Sequence, residues 1–352
     1  MVLDRFRRPS SGARTAAPET AGMPPAAAAL AAALAPPEAL VYDGSDAPAS
    51  AAVARLDADD PGPLAVLLAA TRAERAWDRR SRVVHTAAQA RSVDQGPLRT
   101  WAQHAPTDPD AALVLSAALL QLAWRSRAGQ DTAAAAPPGA FNTLVAAALP
   151  AVAQALRLGA GDPVAYEIAL EHARASAAAR EVFYDLCQGA EQADPLHLGW
   201  HTAALRYLSA RWHGSVDEMW LYADAVSEAA PASARVALLP AVALSDIWRD
   251  DTIRFGPEGG PGQAFVRERF DVALHRANAH IGTLAGNDPA RTEAIAVLAH
   301  LFGLAGLPAQ AYDGFAAIGA DVTALPWGSY AEPVAAFLEF RHDAVLARAA
   351  GG

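Results

Sequence analysis

Lysine is missing from this 352-residue chain, so all 28 of its basic residues are arginine. Without lysine there can be no Walker A phosphate loop, no protein-kinase site, no Schiff-base enzyme and no Ser-x-x-Lys nucleophile. Cysteine is almost missing as well, Cys187 being the only one. One thiol excludes an intrachain disulfide, a CxxC redox pair, an iron–sulfur cluster and a cysteine-rich zinc site. Aromatic residues make up only 7% of the chain, and period-two runs of Val, Ile, Thr and Tyr are scarce, so a sheet protein is not expected. No apolar run approaches the roughly 20 residues of a membrane span, so no integral membrane segment is expected. Positive charge is in deficit: 28 basic against 38 acidic residues leaves a net charge of −10. That balance opposes nucleic-acid binding, which needs a basic face, and favours solubility. These exclusions leave a cytoplasmic, alanine-rich protein with no nucleic-acid partner and no expected cofactor.

Alanine supplies about a quarter of the chain, far above its usual share. Residues 1–37 read as a disordered Pro/Ala-rich tail. Pro9, Pro18, Pro24, Pro25, Pro36 and Pro37 interrupt it, and Arg5, Arg7, Arg8 and Arg14 make it basic. The order of basic residues, an Ala26–Ala35 run and small residues fits a signal peptide only loosely, because three prolines intervene and alanine is weakly apolar. A basic tail of this kind can also touch anionic lipid or an acidic partner.

From about residue 48 the pattern is helical. Segments Ala65–Arg75, Ala111–Arg127, Phe141–Leu158 and Val164–Ala175 carry apolar residues at spacings of three and four, the mark of an amphipathic helix. Asp-Pro pairs at 108–109, 162–163, 194–195 and 288–289 mark helix starts. The aspartate can accept a free N–H of the first turn, and proline has none to lose there. Gly159 and Gly161, Gly214, and Gly303 with Gly306 mark ends.

Pro163 to Pro195 is 32 residues and Pro195 to Pro231 is 36. These intervals bracket the 34-residue period of stacked antiparallel helix pairs. The local match is strongest after Pro289, where Leu298, Ala299, Phe302, Gly306, Ala311 and Phe315 follow in order. On these residues the chain resembles the tetratricopeptide repeat family. Pro195–Trp212 and Asp217–Ala230, turning at Gly214, resemble a second, less regular pair. The resemblance implies an all-α fold, an α-solenoid of antiparallel helix pairs with irregular members, spanning residues 38–350. A Gly- and Pro-rich loop at 249–262 would interrupt it. The stretches Arg211–Met219 and Ile318–Trp327 also resemble segments of uncharacterised helical proteins of the DUF4034 type, frequent in actinobacteria. That family implies no catalytic residues.

Candidate site residues follow from the few aromatics. Trp200, Tyr207, Trp212, Trp220, Tyr222 and Trp248 cluster within about fifty residues. They are either the packing between helices or anchors of a ligand groove. With Arg211, the set Trp200, Tyr207, Trp212, Trp220 and Trp248 forms the candidate partner-binding site. His197 and His201 are four apart, the spacing of a helical metal pair, and His213, Asp217 and Glu218 lie beyond the turn. Asp250-Asp251 and Asn287-Asp288 lack the further acids and the serine of a class I terpene synthase metal site. Arg72, Arg75, Arg79 and Arg82 suggest a helical stripe that grips an acidic group, or a solvated face with Asp78 paired to Arg82. No GxSxG elbow is present.

Stacked helix pairs offer a curved surface. The expected function is therefore a non-catalytic adaptor or scaffold binding a protein or peptide partner. An all-helical enzyme, metal-assisted near the histidines, is the alternative, and self-association is a third expectation.

Overall fold

The computed structural model describes residues 22–42, 46–56, 58–89, 96–128, 139–256, 259–330 and 332–351. The fold is all-α. Among the described residues there are seventeen helices and one short parallel pairing, Val41–Tyr42 with Asp321–Val322. The chain forms two compact units where the sequence suggested a single domain: residues 46–215, and residues 216–352 together with the segment before residue 46.

Residues 46–215 hold α2 (Ala47–Leu56), α3 (Gly62–Ala73), α4 (Trp77–Gln89), α5 (Pro97–His104), α6 (Pro109–Ala128), α7 (Ala140–Leu158), α8 (Pro163–Ala175), α9 (Arg180–Ala193) and α10 (Leu198–Tyr207). The expected helices fall within a few residues of α3, α6, α7 and α8. Asp162 caps α8 as expected, its carboxylate accepting the Val164 N–H at 3.0 Å. Asp194-Pro195 does not start a helix. Asp194 accepts the Leu196 N–H at 2.9 Å and closes a turn, so α10 begins at Leu198. The core joins Leu64, Leu68, Val84, Leu113, Val164 and Ile168. Helices pair with their neighbours, α6 on α7 above all, but α4 also meets α8 and α10. Such remote contacts go beyond the neighbour-only stacking of a solenoid.

By length and composition α7 is long and apolar enough to cross a membrane, contrary to the expectation that no segment is. Its buried residues, including Phe141, Val145, Ala148, Val152 and Ala155, recur at three and four and pack on α6 and α8.

The second unit holds α1 (Pro25–Ala32), α11 (Val216–Ala229), α12 (Leu239–Phe255), α13 (Pro261–Thr283), α14 (Pro289–Leu304), α15 (Pro308–Ile318), the short turn α16 (Ala324–Trp327) and α17 (Pro333–Ala350). Two expectations are corrected here. The expected tail contains α1, whose Ala27 and Ala31 are buried in the core with Phe337 and Val345 of α17; residues 1–21 lie outside the described ones. Two adjacent prolines at the start of a helix cost nothing, since the first turn has no N–H partner to lose, and the alanine face is narrow enough to pack closely. The expected loop at 249–262 is also mostly helix, since α12 runs to Phe255 and α13 starts at Pro261. Asp251 makes this tight junction, accepting the N–H of Gly260 at 2.6 Å and of Gly262 at 3.0 Å. Residues 257 and 258 lie outside the described ones.

The pair after Pro289 is a helical hairpin. Gly306 turns it with φ +76°, and Ala299, Ala311 and Phe315 are buried in one cluster. A Cβ on Gly314 would stand 3.0 Å from the Ala299 Cβ, so small residues set this close crossing. The other expected pair is divided, α10 belonging to one unit and α11 to the other.

Candidate functional site

Three elements of the 46–215 unit converge on Trp212: the last turn of α6, the last turn of α8 and the turn that follows α10. That turn is anchored firmly. The Tyr207 hydroxyl donates to Ala178 O at 2.6 Å, His213 Nε2 donates to Arg174 O at 3.0 Å, and Arg180 donates to His213 O at 2.8 Å. Trp212 is thereby held edge-on to Trp124 of α6, with ring centroids 5.5 Å apart, and Trp124 lies 4.9 Å from Phe141 of α7.

Arginines surround these rings. Arg174 lies 4.4 Å over Trp124 and 5.1 Å over Trp212. Arg127 lies 4.8 Å over Trp212 and 5.2 Å over Phe141. Arg211 lies 5.9 Å over Trp212. A guanidinium on an aromatic face gains about 0.5–2 kcal/mol, more as water is excluded. Arg174 is neutralised by Glu171 at 2.5 Å, which Arg206 approaches at 3.9 Å. Arg127 has no carboxylate partner among the described residues. Partial burial and the nearby charges of Arg211 and Arg174 hold its pKa below the ordinary arginine value.

The other predicted aromatics behave differently. Trp200 and Tyr207 are core residues, 4% and 1% exposed. Trp200 Nε1 donates to Asp194 O at 2.8 Å, and Tyr207 stacks on Phe183 at 4.2 Å. They are closed to a ligand, so the groove reading is corrected for both. Trp220 and Trp248 are buried in the other unit, near Phe265 and Arg267 respectively. Only Trp212 and Arg211 of the expected set share an accessible surface.

His197 and His201 are not brought together as a metal pair. His197 precedes α10, so helical spacing does not align it with His201. His201 Nε2 donates to Pro195 O at 2.8 Å, and burial pushes its pKa down to about 4. His197 turns to Glu167 instead, Nε2 to Oε2 3.0 Å, with Asp78 3.5 Å from Nδ1. His85 reaches the other Glu167 oxygen at 2.6 Å, and the Ser81 hydroxyl donates to Glu167 at 2.9 Å. Burial opposes charge on His197, but Asp78 and Glu167 carry its pKa up to about 9. Burial likewise opposes charge on Glu167, and the two imidazoles overcome it, holding the carboxyl below the usual range. Gly199 gives the cluster room, for a Cβ there would meet Glu167 Oε2 at 2.1 Å. Among the described residues no group of three or more His, Cys, Asp or Glu could hold a metal ion.

The arginine stripe is also corrected. Arg72 ends α3, Arg75 turns the chain with φ +53°, and Arg79 and Arg82 belong to α4, so the four do not share a helix. Arg79 grips Asp46 through two nitrogens, at 2.5 and 3.1 Å. Arg80 is the central one, though the stripe pattern skipped it. Fully buried, it donates to Asp162 at 2.7 Å, Asp110 at 2.6 Å and Leu68 O at 2.8 Å, and so ties α3, α4, α6 and α8 together. Asp251 caps α13, as described. Burial and Glu191 push the Cys187 thiol up to about 12, away from thiolate chemistry.

Arg127, Arg174, Trp124, Phe141, Arg80, His85 and Glu167 were missed in the sequence. Most of their partners lie tens of residues away. The only usable signal was the pair Trp124 and Arg127 at i,i+3 beside the end of α6. The chain matches no protein-family model, no curated protein and no solved structure.

Proposed function

We propose that this chain is a non-catalytic interaction module of the cytoplasm that binds a protein or peptide through the face around Trp212. The observation that carries this reading is Trp212 itself, a partly exposed indole fixed between Arg127, Arg174 and Arg211 beside Trp124. Tryptophan and arginine are the residues most enriched at binding hot spots. An anchored turn presents them with little ordering left to lose on binding. The α14–α15 hairpin supports an arrangement of helix pairs of tetratricopeptide type, with other pairs less regular.

Affinity capture from the native host, with the wild-type chain and Trp212→Ala in parallel, tests the reading. The expected result is a partner retained by the wild type and lost by the variant. Identical captures by both would overturn it.

The enzyme reading draws on one observation. His85 is 41% exposed and backed by the buried Glu167 carboxylate at 2.6 Å, as a general base would be. It predicts a hydrolytic activity, sought on a panel of esters and amides, that His85→Ala abolishes while the fold is kept.

A further inference from the structure

We infer that the group received at the Trp212 face is a carboxylate of an acidic peptide segment, with an apolar side chain beside it. This rests on the interaction reading above and names the chemistry of the partner.

Charge balance around Trp212 points to an anion. Three guanidinium groups lie within 6 Å of one indole, at 4.8, 5.1 and 5.9 Å. Glu171 serves Arg174 and is approached by Arg206. No described carboxylate reaches Arg127. Several other arginines of the same unit are matched to acids: Arg79 by Asp46, Arg72 by Asp110, and Arg80 by Asp110 and Asp162. Arg127 has no such partner among the described residues, and the like charges of Arg211 and Arg174 oppose its own. A carboxylate arriving there would relieve that repulsion and gain charge-assisted hydrogen bonds.

The chain as a whole carries −10, but charges beyond a Debye length of about 8 Å at physiological salt are largely screened. The local arginines therefore dominate what the partner meets. The partly exposed ring of Trp212 beside Arg127 offers an apolar neighbour its contact. With Arg174 Nη2 already turned to Glu171, the fork-shaped guanidinium of Arg127 suits one carboxylate better than the several oxygens of a phosphate.

The test is fluorescence anisotropy of labelled peptide pools with the full chain. One pool is rich in Asp and Glu interspersed with Leu and Phe. A second has Asn and Gln in place of the acids, a third has Lys, and a fourth has phosphoserine. The acidic pool should bind, weaken as salt rises from about 50 to 300 mM, and lose at least about tenfold affinity with Arg127→Glu. Arg127→Gln should lie between. Because Arg127 makes no ion pair among the described residues, both variants should keep the wild-type circular dichroism, with Tm lowered only by the loss of its contacts with the Phe141 and Trp212 rings. Equal binding of the Asn/Gln pool, or unchanged binding by Arg127→Glu, would overturn the inference. Tighter binding of the phosphoserine pool would overturn the carboxylate assignment. A captured partner that depends on Trp212 and ignores Arg127 would overturn the inference while the interaction reading stands. Captures indifferent to Trp212 would remove that reading itself.

Discussion

His197 and His300 are both buried imidazoles, yet they rest in opposite protonation states. His197, in the 46–215 unit, lies between Glu167 and Asp78 and is charged at neutral pH, its pKa near 9. His300, in the other unit, faces Trp327, Tyr330 and Phe340. Burial, reinforced by Arg249, pushes its pKa down to about 3. The contrast extends to the cores around them. The 46–215 unit is braced by two charged hubs, Arg80 among aspartates and Glu167 among histidines. The other unit is filled by an aromatic knot in which Trp327, Phe315 and Phe337 are fully buried. Alanine-rich helices leave gaps that small side chains cannot fill. Long polar side chains with remote partners close many of them in one unit, and large rings, joined by the buried Arg341, close them in the other.

The strongest way to break this contrast is Arg80→Ala. It leaves Asp162 buried without its cation and Asp110 with Arg72 alone, a loss of about 3–5 kcal/mol, with the lost packing of the arginine stem added. Urea denaturation followed by hydrogen exchange should show the loss confined to residues 46–215. Trp327→Ala is the counterpart, costing about 3–5 kcal/mol through the cavity it opens and lowering protection in α14, α15 and α17.

Titration sharpens the comparison further. His197 has a folded pKa above its unfolded value of about 6.5, so its contribution is complete below that pH and fades as pH rises through about 9. His300 has a depressed pKa, so the unfolded state takes up the proton first, and stability falls as pH drops from about 6.5 towards 3. His201 acts in the same direction down to about 4. Each fully buried group limits the slope to about 1.4 kcal/mol per pH unit. Between pH 7 and 9 the protection of α10 should decrease while that of α14 holds. Equal alkaline loss in both would contradict the charge assigned to His197.

Gly199→Ala should cost about 1–3 kcal/mol by overpacking against Glu167, and it should flatten the alkaline loss if it displaces His197. The smallest effect is expected from Asp288→Ala. It removes the cap bond to the Ala290 N–H, 2.9 Å long, and should cost about 1 kcal/mol.

Helix positions were largely legible in the sequence because they depend on neighbours within four residues: Asp162-Pro163 and Asp288-Pro289 are visible as caps, and the stripe of α7 is visible as a stripe. The hubs were not. Arg80 reaches Asp162 across 82 residues, and nothing in its own neighbourhood separates it from Arg79. The Asp-Pro rule failed at 194–195 because the same aspartate can close a turn as readily as cap a helix. The helix α1 was hidden because prolines that bar a long element still permit a short one. Of the expected site, Trp212 and Arg211 were legible as residues, but their setting was not, since Arg127, Arg174 and Trp124 come from helices far away in sequence.

The packing of α1 against α17 has a consequence for how the protein is made. Tyr312 donates to Leu30 O across 282 residues, and Arg341 donates to Ala35 O across 306. At about 5–20 residues per second of synthesis, the first described helix waits on the order of 15–60 s for its partners. Residues 46–215 have all their own contacts by then. The unit of residues 46–215 can be finished while the unit that joins α1 to α17 is still half synthesised.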